Sequence, residues 1–492
     1  MRDSIFTDEA IVLLLLIPSF AASLFSIDMP YLGALKDDGV YVATAWSIAK
    51  TGTYRTASLP GSPKHIKYPP LYPAFISVAF HFGSTPNHWL SAAHLLHWFS
   101  LPLFALLCLK FFQREHCPLP WLWTLVCVSF AGVWISAHSF LTDLWMGAAG
   151  MAVFLLFEKH PARSAVVATA AYLLRTSAVS LIMAVLVCYL LQRRVRHAAV
   201  FFIIVAPFAV ARGAWSAMGS GPIRDYNYCF MSTYVQQFVC NTSTDIILQR
   251  TASQALLILE SIGNILVPEF YDFYALSIVK RLVGFLILLC IAFLPRLHQL
   301  YVLFSLMLLL LWPWRPFSRF FVPVLPVLVA GVVRIVTIRL RLSIPWWANL
   351  SVFAWFLISL LSLEVGHGFM AQSYRQQNRA ITPAFEWIRT HTPGNATFCA
   401  SRDAFLWLFT GRQAESIHVS LVSTWKDPKA SEKRIFQMAE WARSRGHQYI
   451  LLTPWDYGLS EAQHKKLRQF LRGKARLVFE SDHVSVFDLG VR

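Results

Sequence analysis

Two adjacent carboxylates, Asp37-Asp38, open a polar stretch that closes on Lys67-Tyr68-Pro69-Pro70. A carboxylate held within hydrogen-bond reach of a hydroxyl can take its proton, and two neighbouring acids raise one another's pKa. A lysine on a proline-stiffened segment can neutralise a phosphate as a point charge. Asp143, in Thr142-Asp143-Leu144, could orient a second substrate, bind a metal, or cap a helix together with Thr142. Arg175 interrupts an apolar run, where a charge needs a partner or a ligand. Arg315 and Arg319 bracket Pro316-Phe317-Ser318, and arginine suits bidentate phosphate binding. Each residue has an ordinary alternative: solvated loop acids at 37 and 38, a snorkelling lysine at 67. His88, His94 and His97 share one helical stretch, but no neighbouring acid or cysteine completes a zinc site, so they read as interface histidines with no metal.

The elements that must position these residues are apolar. Of 492 residues, 56% are hydrophobic and only 14% charged, with 38 Phe and 18 Trp. That charge content is far below the soluble norm and excludes an ordinary soluble domain. The net charge of +17 sits largely in short loops, such as Arg193, Arg194 and Arg196, which is topogenic and lipid-facing placement rather than a nucleic-acid surface. Runs at 11–28, 89–112, 120–138, 144–158, 163–174, 176–191, 198–217, 276–295, 299–312, 319–337 and 346–365 give about eleven spans on a yardstick of about 20 residues. Residues 71–82 are too short to span and fit an interfacial helix, as does the stretch 251–274. Cysteines lie mostly within apolar runs, and Cys229 and Cys240 share a polar loop as either a disulfide or two thiols.

With a cytoplasmic N-terminus, the basic loops near Arg114, Lys159, Arg193, Arg296 and Arg334 alternate correctly. Asp37-Asp38, Asp143, the 218–275 loop, the 313–318 turn and the C-terminal tail then share the outer side. Lys50, Lys64 and Lys67 fall outside too, against the positive-inside tendency, which points to an anionic ligand there.

Charge density becomes normal after about residue 366. A helix at Phe385–Arg389, strands at Ala396–Ala400 and Tyr449–Leu452, a serine-capped helix at Ser460–Leu471 and a hairpin of Leu477–Phe479 with Val484–Asp488 make a small α/β domain. The expected architecture is an all-α polytopic membrane domain over 1–366, with its catalytic outer loop at 29–88, and a soluble extracytoplasmic α/β domain over 367–492.

The ordered set of motifs resembles the membrane glycosyltransferases of the GT-C class, in the branch of protein O-mannosyltransferases and the lipid A aminoarabinose transferase. Asp37-Asp38-Gly39-Val40-Tyr41, Lys67-Tyr68-Pro69-Pro70-Leu71, Thr142-Asp143, Leu174-Arg175-Thr176 and the Arg319 to Pro326 segment carry the likeness, over residues 10–340. Departures are Tyr68 inside the Lys-Pro-Pro element, Val40 where some members place arginine, and Asp38 in place of Glu. The resemblance implies inverting transfer of a sugar from a polyprenyl-phosphate donor to an acceptor hydroxyl outside the cytoplasm, without a nucleotide, cofactor or metal. It implies Asp37 as general base, Asp38 and Asp143 shaping the site, and Lys67, Arg175, Arg315 and Arg319, with Tyr41, on the donor. It also implies a bacterial inner membrane. The alternative from another class is a polytopic transporter or lipid-linked sugar flippase, which predicts charges lining a path and internal symmetry; the sequence has few mid-span acids and no repeat.

Overall fold

The computed structural model describes residues 7–27, 32, 37–217, 244–267, 274–312, 318–339, 345–417, 429–481 and 484–491. Arg315, Cys229 and Cys240 lie outside these residues.

The first two thirds of the chain fold as apolar helices. Five are long and apolar enough to cross a membrane, and six when the pair Pro120–Val128 and Ala131–His138, bent by 65°, counts as one span. Asp143–Leu156, Thr176–Leu191, Arg296–Leu310 and Leu325–Thr337 are equally apolar but only 10–17 residues long. These make ten, and the expected eleven is reached only by adding the 14-residue helix Pro161–Leu174, also shorter than a full crossing. A helix of about 15 residues reaches about 22 Å, against a hydrocarbon core of about 30 Å. The shortening has a local cause. Arg175, at φ −154°, ends the helix Pro161–Leu174 and separates it from Val179–Leu191. Thr142 and Asp143 likewise start a helix where an apolar pair would have continued one.

The chain is a multi-pass membrane protein, and burial follows from that. Phe104, Phe111, Phe112, Leu125, Met151 and Tyr301 fill the interior between helices. Trp346, Trp347, Leu350, Trp355 and Ile358 stay exposed along one helix, facing what would be lipid and its interface. At one end Arg114 pairs with Glu158 at 2.6 Å, and Glu115 meets His298 and Arg334, each at 3.4 Å. Asp37, Lys67, Asp143, Arg175 and Arg319 gather at the other.

Outside the spans, Asp37–Thr51 forms a helix rather than the expected loop, and its two acids sit in the first turn, where the helix dipole favours negative charge. Leu71–Ser77 and Val78–His81 form the short helix expected at the interface. The stretch expected to match it is instead the 20-residue helix Thr244–Gly263, packed so closely on Tyr274–Cys290 that Gly263 touches the Lys280 backbone.

A single helix of 46 residues, Trp346–His391, carries the chain out of the apolar layer, across the composition change near 366, into the final domain. That domain is a five-stranded sheet: β1 (Thr397–Cys399), β2 (Gln413–Glu415), β3 (Tyr449–Leu452), β4 (Arg476–Ser481) and β5 (Val484–Asp488), in the order β2-β1-β3-β5-β4. β1 is parallel to both β2 and β3, while β5 runs antiparallel to β3 and β4. The helix Glu461–Arg472 opens on Ser460 with a full capping box through Gln463.

The pleat sends alternate residues to two cores. Cys399, Ile450, Leu452 and Phe487 meet the outer helices. Phe398, Leu451, Val484 and Val486 join a core that continues through Phe385 to Tyr41, Tyr72 and Phe140 of the membrane part. The 57–62 loop completes the union. Ala414 N donates to Ser58 O at 2.9 Å, and Gln413 bonds Gly61 N at 3.1 Å and Ser62 Oγ at 2.8 Å. The loop therefore covers the edge of β2.

Candidate active site

Asp37 is clasped from two sides. Arg319 Nη2 donates to Oδ2 at 3.0 Å, and Tyr68 Oη donates to Oδ1 at 2.5 Å. Burial alone would raise this carboxyl, but the Arg319 and Lys67 cations and the Tyr68 bond together hold it below the usual carboxylate range. Tyr68, which from sequence only interrupts a Lys-Pro-Pro element, is thus a direct partner of the acid. Its ring also lies 4.5 Å from Lys67 Nζ and 4.8 Å from the Tyr41 ring. Tyr41 is pushed well above the ordinary phenol range, by burial first and then by Asp37. Asp38 is fully buried and lies on the side facing Tyr72 and Tyr374.

Asp143 forms a second clasp. Arg175 Nη1 donates to its Oδ1 at 2.5 Å, while Oδ2 is buried without a hydrogen-bond partner. Of the readings open for Asp143, the structure thus gives it an arginine partner; Thr142, at the N-cap position, makes no side-chain cap bond. The two clasps meet on Phe320, whose ring lies 5.2 Å from the Arg175 guanidinium and 4.9 Å from that of Arg319. Arg319 is 7% exposed, and its Nε and Nη1 make no hydrogen bond. A buried guanidinium with two unclaimed nitrogens is costly unless an anion takes them.

This placement depends on Gly132. A Cβ there would stand 2.5 Å from the Ser318 carbonyl and 2.7 Å from Arg319 N, so only glycine lets the helix Ala131–His138 seat the turn that presents Arg319.

Sequence reasoning missed Arg212. It lies on the spanning helix Val195–Ala217, and its Nη2 donates to the carbonyls of Ile66 at 2.7 Å and Lys67 at 2.6 Å. Trp215 Nε1 bonds His65 O at 2.9 Å, and Tyr54 Oη bonds Tyr68 O at 3.0 Å. His65 stays neutral, lowered by burial and then by Lys67 and Arg212; its Nε2 accepts from Tyr68 N at 2.9 Å. The segment that carries Lys67 and Tyr68 is therefore fixed from three sides. The clue was a charge near the outer end of a span, the same clue that marks Arg175.

His94 and His97, expected at the interface, are buried instead; His88 is exposed. His97 bonds Tyr72 Oη at 2.9 Å and Ser136 O at 2.7 Å. Beside them His138 bonds Glu364 at 3.0 Å and Ser23 at 3.1 Å and stacks on His367, which bonds Ser26 at 2.7 Å. Satisfying polar groups inside the bilayer requires such partners. The network locks three helices whose outer ends lead to Asp37, to Asp143 and to the final domain. Among the described residues no group of His, Cys, Asp and Glu could hold a metal ion.

A polytopic helical part is thus joined to a small sheet domain, with acids and arginines meeting near the junction. No protein-family model matches the chain, and no curated protein matches it. Solved structures do. ArnT from Cupriavidus metallidurans in the apo state aligns over 98% of both chains, with a TM-score of 0.53 and 13% identity. ArnT from the same organism bound to undecaprenyl phosphate aligns over 97% of both, with a TM-score of 0.53 and 14% identity. The chain shares this fold from end to end.

Proposed function

We propose that the protein is an inverting glycosyltransferase of the bacterial inner membrane. It moves a sugar from a polyprenyl-phosphate donor to an acceptor hydroxyl at the outer face, where the final domain also lies. The observation that carries this reading is Arg319: buried, bonded through one nitrogen to Asp37, and with two nitrogens unclaimed. One guanidinium can thus hold a phosphate and a carboxylate at once.

Charge counting fits the donor. Lys67, Arg175, Arg212 and Arg319 face Asp37, Asp38 and Asp143, an excess of one cation among these residues. A glycosyl phosphodiester carries one negative charge. ArnT, whose fold the chain shares, has been seen with undecaprenyl phosphate, a ligand of this chemistry.

Asp37 takes the proton from the acceptor hydroxyl. The acceptor oxygen then bonds to the anomeric carbon as the bond from that carbon to the phosphate oxygen breaks, which inverts the centre. The pair of electrons leaves on the phosphate, where Arg319 and Lys67 balance the added charge. Binding of the donor phosphate on the two unclaimed nitrogens of Arg319, before the chemistry, weakens its pull on Asp37 and makes Asp37 a better base. Asp143 keeps Arg175 in place, and Asp38 and Tyr41 shape the pocket.

The test is binding. Polyprenyl phosphate added to the full chain in nanodiscs should raise the unfolding temperature of the wild type and not of Arg319→Ala or Lys67→Ala. Equal stabilisation of all three would refute the assignment.

A further inference from the structure

Glu364 stands apart from both clasps. It lies on the long helix Trp346–His391 between Leu361 and Val365, whose apolar side chains face outward, yet it is itself only 8% exposed. Ionisable groups at such depth are costly and need a partner. Both of its oxygens are taken. Ser19 Oγ donates to Oε1, and His138 Nε2 donates to Oε2 at 3.0 Å. The other ring nitrogen of His138 meets Ser23 Oγ at 3.1 Å, and the ring stacks on His367 at 3.9 Å. Ser19 and Ser23 belong to the helix Ile17–Phe25, so three elements are tied at one point.

The helix that carries His138 links this point to the phosphate site. Ala131–His138 has eight residues, about 12 Å, and a 65° bend cuts it off from Pro120–Val128. A helix this short takes its direction from what it packs against. Its first turn carries Gly132, which has no slack against the Ser318 carbonyl and Arg319 N. Its last turn carries His138 and Ser136, whose carbonyl accepts from His97 Nε2 at 2.7 Å. Gly132 and His138 are about 9 Å apart along the axis. Apolar contacts around the helix are non-directional, whereas a bond between fixed atoms sets one position along and about the axis. A shift at His138 then reaches Gly132, because a close-packed interior leaves little room for it to be absorbed on the way.

We propose that Glu364 and His138 are positioning residues for the phosphate site: their bond sets the seat of the helix Ala131–His138 and, through Gly132, the place where Arg319 presents its two unclaimed nitrogens. The proposal rests on the transferase reading for the phosphate that Arg319 takes. It gives the long helix, which leads into the final domain, a direct hold on that site.

Two readouts test it, one of them without donor. In donor-free nanodiscs, backbone hydrogen exchange over residues 318–322 should quicken about tenfold in His138→Ala and in Glu364→Ala. Polyprenyl phosphate should bind the same variants about tenfold more weakly. Glu364→Gln should keep both readouts within about twofold of wild type, because its amide oxygen accepts from His138 and its N–H reaches Ser19 Oγ. Tyr189→Phe removes a buried bond of 2.6 Å to Phe157 O, beside the Arg114–Glu158 end of the bundle. It controls for stability, and should lower the unfolding temperature without moving either readout. Should the alanine variants not fold, His138→Phe combined with Glu364→Leu removes the pair without burying an unpaired group, and should quicken exchange and weaken binding alike. Unchanged exchange at 318–322, an equal change in Tyr189→Phe, or a Glu364→Gln variant no better than Glu364→Ala would each overturn the proposal. A wild-type chain that fails to bind polyprenyl phosphate, while exchange responds as expected, would strike the transferase reading instead.

Discussion

Two buried carboxylates of this chain, Asp37 and Asp456, live under opposite electrostatics. Asp37 has Arg319 at 3.0 Å and Lys67 nearby, and these cations outweigh its burial. Asp456 has only backbone and hydroxyl donors in contact, with Arg402 at longer range, and burial pushes it up to about 6. The first stays charged, clasped by Arg319 in the proposed donor site. The second is close to neutral at mildly acidic pH, and its role is to accept hydrogen bonds. Burial alone therefore does not define a site in this protein; the reach of the nearest guanidinium does.

The largest expected effect comes from removing the charge at Asp37. Asp37→Asn should lower sugar transfer about 10²–10⁴-fold, the usual contribution of a general base, while polyprenyl-phosphate binding persists. Labelled-donor assays in proteoliposomes read it.

Breaking the second clasp should affect stability first. Asp143→Ala leaves the partly buried Arg175 without its carboxylate and should cost about 1.5–3 kcal/mol in denaturant unfolding. Asp143→Leu combined with Arg175→Met should recover most of that stability without recovering transfer.

A smaller effect is expected at Gly132. Gly132→Ala puts a methyl against the Ser318 carbonyl and should cost about 1–3 kcal/mol. It should also weaken polyprenyl-phosphate binding, because the displaced backbone is that of Arg319.

The smallest effect is a difference of sign with pH. Asp456 has a folded value above its unfolded 3.8, so its contribution to stability is full below that pH and is lost as pH rises through about 6. Asp37 has a folded value below the same 3.8, so its contribution is present above that pH and is lost as pH falls through the depressed value. Unfolding profiles of Asp456→Asn and Asp37→Asn should diverge from wild type in these opposite directions.

Much of this was legible from residue types and order. Asp37, Lys67, Asp143, Arg175 and Arg319 were marked because charges at the edges of apolar runs need partners, and the structure brings all five to one end of the molecule. Four of the five strands and the Ser460 cap were legible from short apolar runs and capping chemistry, while β2, only Gln413–Glu415, was not. Tyr68 was not, because a tyrosine between a lysine and two prolines looks like a spacing error until its hydroxyl is seen on Asp37. Arg212 was not, because its role is to hold backbone carbonyls, which carry no sequence signal. The buried histidines were misread because a histidine's partners, here Glu364, Ser23 and Ser26, are distant in sequence. The short helices were counted as spans because hydropathy does not register where a helix is cut to make room for Arg175 or Asp143.

The central claim is that Asp37 acts as base on an acceptor hydroxyl at a phosphate site organised by Arg319. It is tested most directly by single-turnover transfer from a polyprenyl-phosphate sugar in proteoliposomes, followed with pH and with the product's anomeric configuration. The account predicts inverted product, and a rate that falls as acid protonates Asp37, at a higher pH than the donor-free carboxylate would, because the bound phosphate loosens the Arg319 clasp. That acid limb should be absent in Asp37→Asn. Passage of intact labelled lipid across the bilayer without cleavage, or transfer undiminished in Asp37→Asn, would contradict it.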